Sequence, residues 1–137
     1  MWWIYALLSA AFAALTAIFA KIGIKGVDSN LATAIRTVVI LLIAWGIVFA
    51  RGSAKDIASL TKENLLFLAL SGIATGLSWI FYFKALSVGE VSKVAPVDKL
   101  SVAFAIILAA IFLREAITIK TAIGAMLIIG GSLVLIL

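Results

Sequence analysis

The sequence predicts an all-α membrane protein, a bundle of five transmembrane helices, and three observations carry that expectation. Hydrophobic residues make up 66% of the 137 positions, against roughly 45 to 50% in soluble domains. They gather in uninterrupted runs near 2–20, 31–50, 65–86, 94–113 and 119–137, each close to the ~20 residues that cross a ~30 Å hydrocarbon core as a helix. The runs do not alternate, and they are about twice the length of a ~10-residue barrel strand, so helices must satisfy their backbone in lipid. Five such spans use about 100 positions, which leaves one transmembrane domain over 1–137 and no soluble one.

Each span carries its own boundary signals. The first opens with Met1-Trp2-Trp3-Ile4-Tyr5 and has no basic residue ahead of the apolar run. It lacks the charged start of a secretory signal, so it is expected to be retained, with Trp2, Trp3 and Tyr5 in an interfacial aromatic belt. Asp28-Ser29-Asn30 offers helix-capping acceptors before the second span, and Thr61 with Glu63 does so before the third. Between them Arg51 to Asn64 forms the longest connection, with Ile57 and Leu60 placed to rest at the interface. Ser92 precedes the fourth span and Thr118 the fifth. Pro96 falls in the expected first turn of the fourth span, where a missing N–H has no helical partner to lose. Gly72-x-x-x-Gly76 in the third span, and Gly124 and Gly131 on one side of the fifth, are small-residue faces suited to helix packing.

What the chain lacks narrows its chemistry. With no cysteine and no histidine, disulfides, thiolate or imidazole metal sites, Cys nucleophiles and His bases are excluded. No metal site and no cofactor is expected. The G-x-S-x-G elbow, the phosphate-loop glycines and the H-E-x-x-H helix are missing too, so an enzyme is not expected. The net charge of +5 comes from basic residues scattered through the connections, which suits lipid headgroups and not nucleic acid.

Polar residues inside the spans suggest a route. Ser71, Thr75, Ser78 and Tyr82 form one helical stripe in the third span, with Gly72, Gly76, Trp79 and Phe83 on the next row. Ser78, Thr75, Trp79 and Tyr82 are candidates to line a pathway. Thr33, Arg36 and Thr37 share roughly one face of the second span. Asp98 shares a face with Ser101, Ala105 and Ala109 and is expected to point into the bundle, whereas Lys99 can snorkel to the headgroups. An ionisable group inside a membrane is a candidate functional site; the bland alternative is an ion pair of Asp98 with Arg36, Lys84 or Lys99 that fixes helix register. Arg36, Lys84, Asp98 and Lys99 all lie toward the same membrane surface. Two copies paired upside down would therefore place one charged vestibule at each face, an alternating-access layout.

The pattern resembles the EamA domain of the drug/metabolite transporter superfamily over essentially the whole chain. The residues that carry the resemblance are Phe81-Tyr82-Phe83-Lys84-Ala85-Leu86-Ser87-Val88-Gly89, then Phe112-Leu113-Arg114-Glu115, then Gly124-x-x-Leu127-Ile128-x-x-Gly131. Pro96-x-Asp98-Lys99-Leu100-Ser101 is similar to what single-copy members show, while Arg114 stands where a glycine often precedes the acid. The resemblance implies a multi-pass transporter of small metabolites or drugs in a prokaryotic cytoplasmic membrane. Longer members carry two inverted five-helix copies, so this chain is one half of an inverted-repeat transporter. Its expected partners are membrane lipid, a small-molecule substrate and a second chain, either an antiparallel homodimer mate or a related chain in a heterodimer. Two other functions fit the same residues: an accessory or structural membrane subunit, and a lipid flippase component.

Basic residues give the chain no preferred orientation. Arg51, Lys55, Lys62, Arg114 and Lys120 share the side of the N-terminus, and Lys21, Lys25, Arg36, Lys84, Lys93 and Lys99 take the other, which accounts for all 11. The positive-inside rule has almost no bias to act on, so insertion both ways up is expected. A C-terminal reporter fusion should give signal on both faces of the membrane; signal on one face alone would exclude the antiparallel homodimer.

Overall fold

The computed structural model describes residues 1–137, and its regular structure is helix and turn throughout, with no strand. The helices are α1 (Trp2–Gly23), α2 (Ser29–Ala50), α3 (Lys62–Val88), α4 (Val91–Asp98), α5 (Leu100–Phe112) and α6 (Ile119–Ile136), with a 3₁₀ helix at Ser53–Ser59. Five segments are long and apolar enough to cross a bilayer, α4 and α5 together making the fourth, Val91–Phe112. The all-α, five-span expectation holds. The helices run a few residues past the apolar runs, since Lys21, Lys62 and Ser87 continue helical geometry into polar sequence.

Burial is inverted relative to a soluble domain. No helix hides more than two side chains, and three of the hidden ones are the hydroxyl residues Ser29, Thr33 and Ser132. Phe67, Phe104 and Leu127 point outward. Lipid tails are as apolar as these side chains, so exposing them carries no penalty in a membrane, whereas polar groups gain by finding partners within the protein.

The chain divides into two units, Met1–Phe19 with Val88–Leu137, and Ala20–Ser87. In the second of these, Asp28 caps α2: its carboxylate accepts from the amides of Asn30 at 2.9 Å and Leu31 at 3.0 Å. Thr61 caps α3 by accepting from the amide of Asn64 at 3.1 Å, so Asn64 and not Glu63 completes that turn. Lys21, expected in a connection, belongs to the last turn of α1, and its ammonium donates to the carbonyl of Leu86 at 2.6 Å. That closes one of the C-terminal carbonyls of α3 with a cation, the charge a helix C-terminus favours. Beyond α2 the chain turns at Gly52 with φ 68, a left-handed conformation that costs glycine little. Ile57 and Leu60 are exposed there.

The other unit packs α4 and α5 against α6 and corrects one expectation. Glu90, not Ser92, stands before the helix, so Pro96 is the sixth residue of α4 and not part of its first turn. Its ring removes the amide that the carbonyl of Ser92 would accept. The ladder then loosens into a turn at Lys99, which keeps right-handed helical dihedrals and whose amide donates to Ala95 at 3.3 Å and Pro96 at 3.1 Å. The Pro96 carbonyl gains a second donor from across the interface, the hydroxyl of Ser132 in α6 at 2.9 Å. A serine of the fifth span is therefore tied to the fourth at its proline. At the far end Arg114 has φ 55, and the amides of Leu113 and Glu115 both donate to the carbonyl of Ala109. Thr118 caps α6 by accepting from the amide of Thr121 at 3.2 Å.

Replacing Ser132 by Ala should lower stability by about 0.6 to 1 kcal/mol, the usual worth of an interhelical hydrogen bond in a membrane. Unfolding in mixed micelles would read it. In a Pro96→Ala background, which restores a donor to the carbonyl of Ser92 and leaves the carbonyl at position 96 in place, the same change should cost about as much; a much smaller loss would mean that the hydroxyl bond depends on the proline.

Candidate functional site

Within Ala20–Ser87 the structure builds one cluster around a cation. Arg36 lies seven residues into α2, so its backbone is about 10 Å along the axis from Ser29 at 1.5 Å per residue. Its guanidinium carbon sits 4.2 Å from the centre of the Trp79 ring and 5.0 Å from that of Phe83. Trp79 and Phe83 are four residues apart on α3, and that spacing stacks their rings on one helical row. The planar guanidinium therefore rests on two π faces, an arrangement worth about 0.5 to 2 kcal/mol. Tyr82 is within electrostatic reach of Arg36, and its ring meets Phe83 edge-on at 6.3 Å.

Arg36 does not spend its donors on the neighbouring hydroxyls. Thr33 donates to the carbonyl of Ser29 and Thr37 to that of Thr33, each at 2.8 Å. One guanidinium nitrogen, Nη1, is buried, and no protein atom accepts from it. Among the sequence-derived candidates, then, Arg36, Trp79 and Tyr82 come together. Phe83 was not among them, although the i, i+4 spacing from Trp79 was its signal.

The remaining candidates are placed as follows. Thr75 is exposed on α3 and donates back to the carbonyl of Ser71 at 2.9 Å. Ser78 and Lys84 are exposed on the same helix. Adding a side-chain carbon at Gly72 or Gly76, or at Gly124 or Gly131 in α6, would meet nothing in its own unit within 4 Å.

In the other unit Asp98 ends α4 at the turn, half-buried, and its carboxylate pairs with Lys99 at 3.2 Å. Ser101 and Ala105, which continue its row, are exposed, while Ala103 is the residue of α5 that is buried. Asp98 thus stands on a face whose continuation is open, with its charge offset by the next residue in sequence.

The sequence profile of the EamA-like transporter family matches residues 1–137. A protein of Sinorhizobium sp named as an uncharacterized transporter in the cobO 3' region is 48% identical over 134 residues, which covers 98% of this chain and 95% of that one. No solved structure matches the chain.

The stacking of Arg36 can be measured directly. Trp79→Leu should destabilise the protein by about 1 to 2 kcal/mol in unfolding experiments, and by much less once Arg36 is also Leu, because the cation–π contact is then already gone. Additive losses would show that the ring and the guanidinium do not interact.

Proposed function

The chain belongs to the EamA-like transporter family and is an integral membrane protein, and from that premise we propose that it is a secondary transporter or facilitator for small metabolites or drugs. It works as an antiparallel pair in the cytoplasmic membrane of a prokaryote, and a related chain in place of the second copy is the other form the pair can take. The observation that carries the reading is the extent of the match. The family profile covers residues 1–137, and the 48%-identical relative named as a transporter is of nearly the same length.

Physical features support it. Five spans are an odd number, so one copy cannot supply the two-fold related halves of an inverted repeat, and a second copy turned over supplies the other half. The near-equal division of basic residues removes the usual obstacle to inserting both ways. The open faces at Gly72, Gly76, Gly124 and Gly131 leave space for a neighbouring helix to approach.

In this reading Asp98 is the coupling or cation-binding carboxylate. It stands where the helical ladder of the fourth span loosens into a turn at Lys99. Lys99 holds the carboxylate's charge when no coupling ion does. Arg36 with Trp79 and Tyr82 receives the substrate, while Thr75, Ser78 and Lys84 lie along the approach.

Purified protein in liposomes tests the proposal with a panel of labelled metabolites and drugs. Uptake into protein-containing vesicles above that of empty ones is expected for at least one of them, and no excess for any would reject transport by this chain alone. With a transported solute in hand, Asp98→Asn should abolish uptake driven by a pH gradient and leave downhill exchange intact. Undiminished pH-driven uptake would remove Asp98 from coupling.

A further inference from the structure

A guanidinium laid on aromatic rings still has its edge to satisfy. Arginine carries five N–H donors in the plane of the group, and stacking on Trp79 and Phe83 engages the face of that plane, not its rim. Nη1 is buried with no acceptor from the protein. The unit that holds Arg36 contains three carboxylates, Asp28, Asp56 and Glu63. Asp28 is committed to the amides of Asn30 and Leu31 at the start of α2. Asp56 and Glu63 lie beyond the other end of α2, which is about 20 Å along the axis from Arg36. No carboxylate of its own unit is therefore a counter-ion for Arg36.

The side chain is also held against α3. α3 runs back toward the surface where α2 starts, so Phe83 is the ring nearer that surface and Trp79 the deeper one. The guanidinium lies closer to Trp79. A long basic side chain near a helix end ordinarily snorkels outward. Here the two rings hold the guanidinium by its face, and Nη1 on its rim has no acceptor from the protein. We infer that the rim of Arg36, held flat on Trp79 and Phe83, receives the single negative charge of a carboxylate or phosphodiester group on the transported molecule. A planar fork of N–H donors matches a pair of oxygens on one centre, and one guanidinium neutralises one charge. The substrate is then an oxyanion with one negative group, not a cationic or neutral drug. This deepens the transport reading and rests on it for the word transported; the binding step stands or falls separately.

The test uses the full chain in a non-ionic, phosphate-free detergent with Trp2, Trp3 and Trp45 replaced by Phe, so that Trp79 alone reports. Benzoate should shift its emission saturably, and benzamide, the same shape without the charge, should not. Arg36→Gln should weaken the benzoate midpoint tenfold or more, and Arg36→Lys, which keeps charge but loses the fork, several-fold. Adding phosphatidylglycerol instead of benzoate separates the sources: a response to the lipid alone assigns the site to a lipid phosphodiester, and a response to benzoate assigns it to a soluble carboxylate. The inference is overturned if benzamide acts as well as benzoate, if neither benzoate nor phosphatidylglycerol shifts the emission, or if the midpoint survives Arg36→Gln within twofold. Should that variant not fold, an unchanged midpoint in Arg36→Lys overturns it instead. Benzoate binding in a protein that moves no solute would reject the transport reading and keep the site; solute movement with no role for Arg36 would do the reverse.

Discussion

Inside a bilayer there is no water to take up a backbone N–H or C=O, and each group left open costs several kcal/mol. The local features of this chain follow from that demand. Thr16, Thr33, Thr37 and Thr75 turn their hydroxyls back onto carbonyls one helical turn earlier. Asp28, Thr61 and Thr118 take the first amides of α2, α3 and α6. Lys21 closes a carbonyl at the end of α3. Pro96 leaves the carbonyl of Ser92 without its usual helical donor, and Ser132 of α6 adds a donor at a neighbouring carbonyl, that of Pro96 itself. One interhelical hydrogen bond therefore ties the fourth span to the fifth just before the turn at Lys99.

The spans were legible because hydrophobic length is a property of the sequence alone, and so were the caps at Asp28, Thr61 and Thr118. The register of the fourth span was not. Its apolar run begins after Lys93, which hides a further turn from Val91 that is helical despite Ser92 and Lys93. A one-turn error in the start moves Pro96 from a harmless position to a disruptive one. Ser132 was unreadable for a different reason. Its partner is a carbonyl 36 residues away, and nothing in a serine's immediate neighbours announces a tertiary acceptor. In the candidate site, helical spacing pointed to the α3 rows that carry Trp79, Tyr82 and Phe83, but which of those rings lies under Arg36 depends on the rotation of two helices about their axes.

Arg114 shows the converse, a departure from a resemblance that the backbone explains. The carbonyl of Ala109 collects the amides of Leu113 and Glu115 only if the residue between them swings into the left-handed region. Glycine does so without strain. An arginine there accepts about 1 to 2 kcal/mol of backbone strain. It also adds a positive charge to the connection between the fourth and fifth spans, on the side that already carries Arg51, Lys55 and Lys62. Without it that side would hold four basic residues against six. The residue that strains the turn is thus one that keeps the charge count level.

Arg36 and Asp98 carry opposite charges but are handled by opposite means. Asp98 is offset by Lys99, adjacent in sequence and flexible, so the pair can open and close without moving a helix. Arg36 is held by two rings of α3, which fix its position while leaving its charge uncompensated by any carboxylate of its unit. A built-in carboxylate against Arg36 would have made a buried ion pair, and removing one partner from such a pair typically costs 3 to 5 kcal/mol, roughly the scale of a whole binding step. A cation on a π platform avoids that barrier. In the binding step inferred for Arg36 the counter-charge arrives and leaves with the molecule that brings it.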